Sequence, residues 1–209
     1  QHASANIALH GAHVLDYIPV GEKPVIFTSA EAIYKEGKAI RGGIPVCWPW
    51  FSAHPSDTSL PSHGFARNVF WKLFRSYHVE GKTTLVFTFS SGNLHAELAV
   101  EVGRELRLSL TTINTGDSSA LVGGALHSYL SVSNISDISI SGLEETSCHD
   151  SLTGLAGKDT EPITISEEID RVYQDTKGTV VLHDEQWKRE IRIEKDGSNS
   201  TVVWNPWID

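Results

Sequence analysis

Thr83-Thr84-Leu85-Val86-Phe87-Thr88-Phe89-Ser90-Ser91-Gly92-Asn93-Leu94-His95-Ala96-Glu97-Leu98-Ala99-Val100-Glu101-Val102 is the passage that decides the fold. Leu85, Phe87 and Phe89 occupy every second position, the period of a strand with one wet face. Ser91-Gly92-Asn93 supplies the turn, and Leu94 to Val102 runs back. The same reading extends outward. Trp71 to Val79 precedes the passage across Gly81. Leu106 to Asn114 follows Gly103-Arg104-Glu105, again alternating at Leu106, Leu108 and Leu110. These four runs make a meander.

Toward the N-terminus, Ala3 to Phe27 reads as strand, turn, strand. Asn6 to His10 alternates, Gly11 interrupts, His13 to Ile18 resumes, and a turn around Gly21 leads into Val25-Ile26-Phe27. Ser29 to Lys35 is expected to form one short helical turn with Ser29 as its cap. Toward the C-terminus, Ile135 to Ile140, Glu161 to Ser166, Val180 to His183, Lys188 to Glu194 and Thr201 to Trp204 read as extended, with Gly142 to Asp159 as a loop. No long 3.6-residue period, internal repeat or low-complexity tract is present. The class is all-β, a large antiparallel β-sandwich of two sheets. With 209 residues, 40% of them hydrophobic, the chain suits a single domain over residues 1–209.

A formal net charge of -9 argues against nucleic acid or an anionic membrane as the main partner. A small anion remains open where cationic side chains are focused locally. No apolar run approaches the ~20 residues of a membrane span, and no signal-peptide pattern stands at Gln1. Cys47 and Cys148 make neither a disulfide framework nor a zinc knuckle. A reduced, cytoplasmic setting is expected. The chain contains no methionine.

Gly123-Gly124-Ala125-Leu126-His127-Ser128-Tyr129-Leu130-Ser131-Val132 places Ala125, His127 and Tyr129 on one strand face and Leu126, Ser128 and Leu130 on the other. A histidine there is either a proton donor and acceptor lining a cleft or a packed, hydrogen-bonded core group. Arg41-Gly42-Gly43-Ile44-Pro45-Val46-Cys47-Trp48-Pro49-Trp50-Phe51 puts a guanidinium on a tightly folded loop beside two tryptophans. It reads equally as a sugar platform, with rings stacking and the charged fork binding, and as a tryptophan-rich core corner. Ser62-His63-Gly64-Phe65-Ala66-Arg67-Asn68 adds a second histidine, a second glycine turn and a second arginine. Arg41 and Arg67 are the natural holders of an anion, because guanidinium binds phosphate or carboxylate bidentately. His10 and His13 are spaced like a metal pair, but no third ligand joins them, so no metal is expected and both are read as solvent-edge residues. Cys148 and His149 are adjacent on extended chain and point to opposite faces, which argues against a thiol–base pair.

These blocks together resemble the hexose-6-phosphate mutarotases, or glucose-6-phosphate 1-epimerases, of the aldose 1-epimerase group. The resemblance is carried by Arg41 to Pro45 with Trp48 to Phe51, His63 to Asn68, Ala125 to Tyr129, Asp170-Arg171-Val172-Tyr173, and Val203-Trp204-Asn205-Pro206-Trp207, in the family's order. It implies a galactose-mutarotase-like β-sandwich that interconverts the α and β anomers of a hexose 6-phosphate without a cofactor. It implies that His127 is the catalytic acid, that Asp170 hydrogen-bonds sugar hydroxyls, that Arg41 and Arg67 bind the substrate and its phosphate, and that His63 faces it. The family's base is a glutamate after the Trp-Asn-Pro-Trp block. None follows before Asp209, so a C-terminal strand or strands carrying it are expected beyond that residue. The competing readings are a non-catalytic carbohydrate-binding sandwich built on Trp48, Trp50 and the arginines, and a structural domain in which His127 is merely packed. The sequence leaves oligomeric state open.

Overall fold

The computed structural model describes residues 2–207. The regular elements of the described chain are antiparallel strands and two short 3₁₀ turns, and the chain divides into two compact units between Ser131 and Val132.

The first unit contains β1 (Ala3–Ala8), β2 (His13–Pro19), β3 (Val46–Cys47), β4 (Lys72–Val79), β5 (Lys82–Ser91), β6 (Leu94–Val102), β7 (Leu106–Asn114) and β8 (Ala125–Leu126). The meander expected from the alternating leucines and phenylalanines is the sheet β4-β5-β6-β7. Its register lines up Phe87 with Leu98, and Leu98 with Leu110, while Leu85 faces Val100 and Val100 faces Leu108. One face of the sheet is thereby continuous hydrocarbon. It packs on Ala12, Val14 and Tyr17 of the β1–β2 hairpin region and on Ile26, Ile44, Val46, Trp48, Ala66 and Trp71. Each large side chain taken out of water in this layer contributes about 1.5–3 kcal/mol. Every residue of β4 is exposed, Phe74 and Val79 among them, and its pairing with β5 slips between Leu73 and Arg75. A register break and flanking charges on an edge strand discourage pairing with a foreign strand.

The second unit contains β9 (Ile138–Ser141), β10 (Ser147–Asp150), β11 (Ala156–Lys158), β12 (Ile163–Thr164), β13 (Ile169–Gln174), β14 (Val180–Asp184), β15 (Arg189–Ile193) and β16 (Ser200–Asn205). They form two four-stranded sheets, ordered β11-β10-β13-β16 and β12-β9-β14-β15. Leu143, Tyr173, Leu182 and Asp184 are buried here. The Asp184 carboxylate accepts from the Ser133 amide at 2.9 Å and from the Trp187 amide at 3.1 Å, so the buried charge is satisfied.

Three sequence expectations change. Ser29 Oγ does accept from the Glu31 amide at 3.2 Å, but the segment makes a single turn and no helix. Ile135–Asp137 is a 3₁₀ turn capped by Asn134, whose side chain accepts from the Ser136 amide at 3.1 Å, and the strand begins only at Ile138. The stretch read as a loop from Gly142 to Asp159 contains β10 and β11, because Ser147–Asp150 finds pairing partners on both sides.

Candidate active site

Backbone hydrogen bonds, more than regular sheet, place the candidate groups in the first unit. Only Ala125–Leu126 of the His127 segment is a formal strand, paired with Val46–Cys47. The extended chain continues on either side. The Gly123 amide donates to the Pro49 carbonyl at 2.9 Å, His127 to Pro45 at 3.1 Å and Tyr129 to Gly43 at 2.9 Å. On the opposite edge, Ser131 donates to Val25 at 2.9 Å. Leu126 and Leu130 pack on the core, while the His127 and Tyr129 rings lie together on the other face, centroids 4.6 Å apart. The period-two reading of this stretch is therefore correct.

The Arg41-Gly42-Gly43 corner is stitched to the chain on both sides. Ser29 donates to the Arg41 carbonyl at 3.0 Å, and Gly43 donates to Phe27 at 2.6 Å. Gly43 has φ of +66°, and a Cβ there would collide with the Val14 carbonyl and the His13 ring. Only glycine lets the two backbones approach this closely. Arg41 itself is exposed.

Ser62 to Asn68 is a second tight feature. The His63 amide donates to Ser52 at 2.7 Å, and the Ser52 amide returns a bond to His63 Nδ1 at 3.1 Å. An accepting Nδ1 puts the neutral ring's proton on Nε2. Gly64, at φ +68°, lies against the Trp48 carbonyl, where a Cβ would overlap it. Ala66 is fully buried, and its carbonyl accepts from Trp71 Nε1 at 2.9 Å. The 3₁₀ turn Ala66–Asn68 therefore fixes the backbone of Arg67. One guanidinium nitrogen, Nη2, donates to the Ser62 carbonyl at 3.1 Å, whereas Nε is buried without a protein acceptor.

The electrostatics tie these features into one cluster. Burial, with His63 and Arg67 adding to it, pulls the His127 pKa down to about 4. Burial raises the Tyr129 hydroxyl, against the pull of Arg41 and Arg67. Burial pushes the Cys47 thiol up to about 11, again against Arg67. His127, Tyr129, His63, Arg41 and Arg67 thus occupy one electropositive neighbourhood holding a neutral imidazole. It offers a ring nitrogen for proton transfer and two guanidinium groups for an anion. Tyr129 carried no role in the sequence reading, although its position two residues after His127 on one strand face was the signal that places it.

Asp170 belongs to the second unit, on β13 opposite Trp204 of β16. Its carboxylate accepts from Ser151 Oγ at 3.3 Å and its carbonyl from the Ser151 amide at 2.8 Å. Shallow depressions in this unit flank Arg171. That guanidinium is already engaged by Asp159 at 2.7 Å and Asp150 at 3.3 Å, so it is a structural ion pair.

Several expectations are corrected at the site. His10 and His13 are not solvent-edge residues: both are buried, and His13 Nε2 donates to the Gly42 carbonyl at 2.8 Å. Trp48 is a core residue, 1% exposed, packed edge-on against Phe65 and Phe89 with Nε1 donating to Thr112 Oγ1 at 2.9 Å. It cannot serve as a sugar platform, which removes one support of the non-catalytic reading. Cys148 is buried and His149 exposed on β10, as their adjacency on a strand requires. No group of three or more histidine, cysteine or acidic side chains able to hold a metal occurs among the described residues. Nor is any described helix long and apolar enough to cross a membrane.

Comparison with known proteins gives the family and the fold. The sequence model of the family described as aldose 1-epimerase matches residues 1–209. A provisionally named glucose-6-phosphate 1-epimerase of Salmonella typhimurium is 33% identical over 214 residues, covering 97% of this chain and 70% of that protein. A provisionally named glucose-6-phosphate 1-epimerase of Cenchrus ciliaris is 32% identical, with 97% of this chain and 67% of that protein covered. Among solved structures, a provisionally named mutarotase from Salmonella typhimurium superposes with a TM-score of 0.91 at 32% identity, over 98% of this chain and 71% of that one. A galactose mutarotase related enzyme from Lactobacillus acidophilus, 13% identical, shares the fold with a TM-score of 0.79, over 99% of this chain and 79% of that one.

Proposed function

Because this chain belongs to the aldose 1-epimerase family, we propose that it interconverts the α and β anomers of a hexose 6-phosphate, with glucose 6-phosphate as the substrate. It is an isomerase of the mutarotase type on a galactose-mutarotase-like all-β fold. We read residues 1–209 as belonging to one domain of that family, a reading supported by the family match over that whole span.

The observation that carries the substrate assignment is the pair of guanidinium groups, Arg41 and Arg67, acting electrostatically on the tyrosine beside His127. A neutral sugar needs no such charge, whereas a phosphate monoester brings about two negative charges to neutralise it. Asp170, from β13, is read as a hydrogen-bond acceptor for sugar hydroxyls, and His63 as a donor through Nε2.

Ring opening needs a proton delivered to the ring oxygen as the C1–O5 bond breaks, and one removed from the anomeric hydroxyl as the C1 carbonyl forms. Rotation about C1–C2 exposes the other carbonyl face. Reclosure reverses both transfers, so no group is consumed and nothing is oxidised. His127 delivers the first proton. A carboxylate accepts the second. Each positioned acid or base of this kind supplies about 10²–10⁴-fold.

The test is anomer exchange followed by NMR magnetisation transfer, with glucose 6-phosphate and glucose compared at equal enzyme concentration. Accelerated exchange that prefers the phosphate ester supports the reading. Equal acceleration of both sugars removes the phosphate role from Arg41 and Arg67. Binding without acceleration returns the chain to a sugar-binding sandwich.

A further inference from the structure

His13 carries a polar ring into the centre of the first unit, where nothing in the proposed reaction requires it. The ring is completely buried, its Nε2 bonds the Gly42 carbonyl at 2.8 Å, and its Nδ1 is buried without a hydrogen-bond partner. A buried unpaired nitrogen destabilises a fold, and an apolar side chain of similar volume would fill the space without that cost. The donor at Nε2 is therefore the feature that distinguishes histidine at this place.

That donor holds a specific peptide group. At the corner, Ser29 grips the Arg41 carbonyl and Phe27 grips the Gly43 amide, while Tyr129 grips the Gly43 carbonyl at 2.9 Å. The Gly42 carbonyl between them is held by His13. A Cβ on Gly43 would overlap the same ring, so the corner rests against the imidazole edge as well as bonding to it. Gly42 and Gly43 have φ of +100° and +66°, a backbone free to swing unless it is held from outside. Arg41 leaves the chain at this corner.

We propose that His13 is a positioning residue: through the Gly42 carbonyl it sets the direction in which Arg41 is presented to the anionic group of the substrate, and so the preference for a phosphorylated over an unphosphorylated sugar. The proposal rests on the hexose-phosphate reading above and deepens it.

Three variants test it. His13→Leu fills the space without a donor, His13→Gln keeps an amide donor of similar reach, and His13→Asn keeps a donor that falls short of Gly42. The first readout is the ratio of kcat/KM for glucose 6-phosphate to that for glucose. It is expected to fall about 10- to 100-fold in the Leu and Asn variants, the usual cost of a displaced binding group. In the Gln variant it stays near the wild-type value. The fall is expected in KM for the ester more than in kcat. The second readout is independent of turnover: binding of inorganic phosphate, followed by amide shifts of Gly42 and Gly43. It weakens in Leu and Asn and recovers in Gln. Should the Leu variant fail to fold, the Gln and Asn pair still decides. An unchanged ratio in a folded Leu or Asn variant overturns the proposal, as does an equal loss on both sugars in every variant. If the wild type binds phosphate in this way but accelerates no exchange, the enzymatic reading fails and the positioning role stands. If it binds no phosphate, the positioning role fails.

Discussion

An anion seated on Arg67 should return a proton to His127. In the free protein, burial and then the neighbouring His63 and Arg67 hold this imidazole at a pKa of about 4. At pH 7 such a group is protonated in about one molecule in a thousand, a poor standing supply of acid. A phosphate monoester changes the sign of the local field. At an effective dielectric of about 20, one unit charge roughly 6.5 Å away is worth about 2.5 kcal/mol. Spent on the imidazolium, that energy raises its population about fifty- to a hundredfold. Burial, the largest cause, persists when the ligand binds, so recovery stays incomplete. The substrate would thus assemble its own acid, and a sugar without the phosphate would not. The assay is a pH titration of ¹⁵N-histidine-labelled protein by long-range ring correlations, alone, with saturating glucose 6-phosphate, and with glucose. The His127 midpoint should rise with the ester and stay put with glucose. Arg67→Gln should raise it in the free protein by less than the ester does, because Arg67 is the smallest of the three causes. A midpoint at the ordinary histidine value in the free protein refutes the reasoning. So does a midpoint unmoved by an ester that demonstrably binds.

Other outcomes follow from the same geometry. His127→Ala should lower exchange by about 10²–10⁴-fold, with glucose 6-phosphate still binding, which separates loss of the acid from loss of the site. Arg41→Met and Arg67→Met should each raise KM for the ester more than for glucose, read from the same exchange experiment. His13 and His127 are both held neutral, at about 4 against 6.5 for a free histidine. Between those values the unfolded chain binds more protons, so stability is full above pH 6.5 and declines as pH falls toward 4. The slope is about 1.4 kcal/mol per pH unit for each group, and urea melts at pH 7, 5.5 and 4.5 measure it. A flat profile across that window contradicts the burial of both rings. Gly64→Ala places a Cβ in the Trp48 carbonyl at φ +68°, and should cost about 2–5 kcal/mol in the same melts.

What the sequence discloses and what it hides divide along a physical line. Leu85, Phe87, Phe89 and their partners are legible because a two-residue period directly encodes one buried face, and β4 to β7 stand where that period places them. Arg41, His63, Arg67 and His127 were findable because each sits beside a glycine turn or small residues in blocks that resemble one family. Their assembly is another matter, since it depends on the Pro45–Pro49 and Gly123–Tyr129 backbones finding each other across a long stretch of chain. His13 illustrates the limit. Its burial follows from the Gly42–Gly43 corner closing over it, a long-range contact that no local pattern records. Trp48 illustrates it differently, because a tryptophan beside an arginine has the same sequence whether it stacks on a sugar or on Phe65 and Phe89. The strands inside Gly142–Asp159 were hidden because pairing to β13 creates them, and their own composition does not.

The placement of the cysteines has a practical consequence. Cys47 lies in the first unit and Cys148 in the second, both buried and free, and burial raises both thiols above their ordinary pKa. A thiol of this kind is inert toward alkylating reagents until its surroundings open. Each unit therefore carries its own chemical clock. Pulsed alkylation read by mass spectrometry reports the opening of the two units separately, from one sample, without any engineered probe. A ligand held in the first unit slows the Cys47 clock, and whether the Cys148 clock slows with it measures how far the two units breathe together.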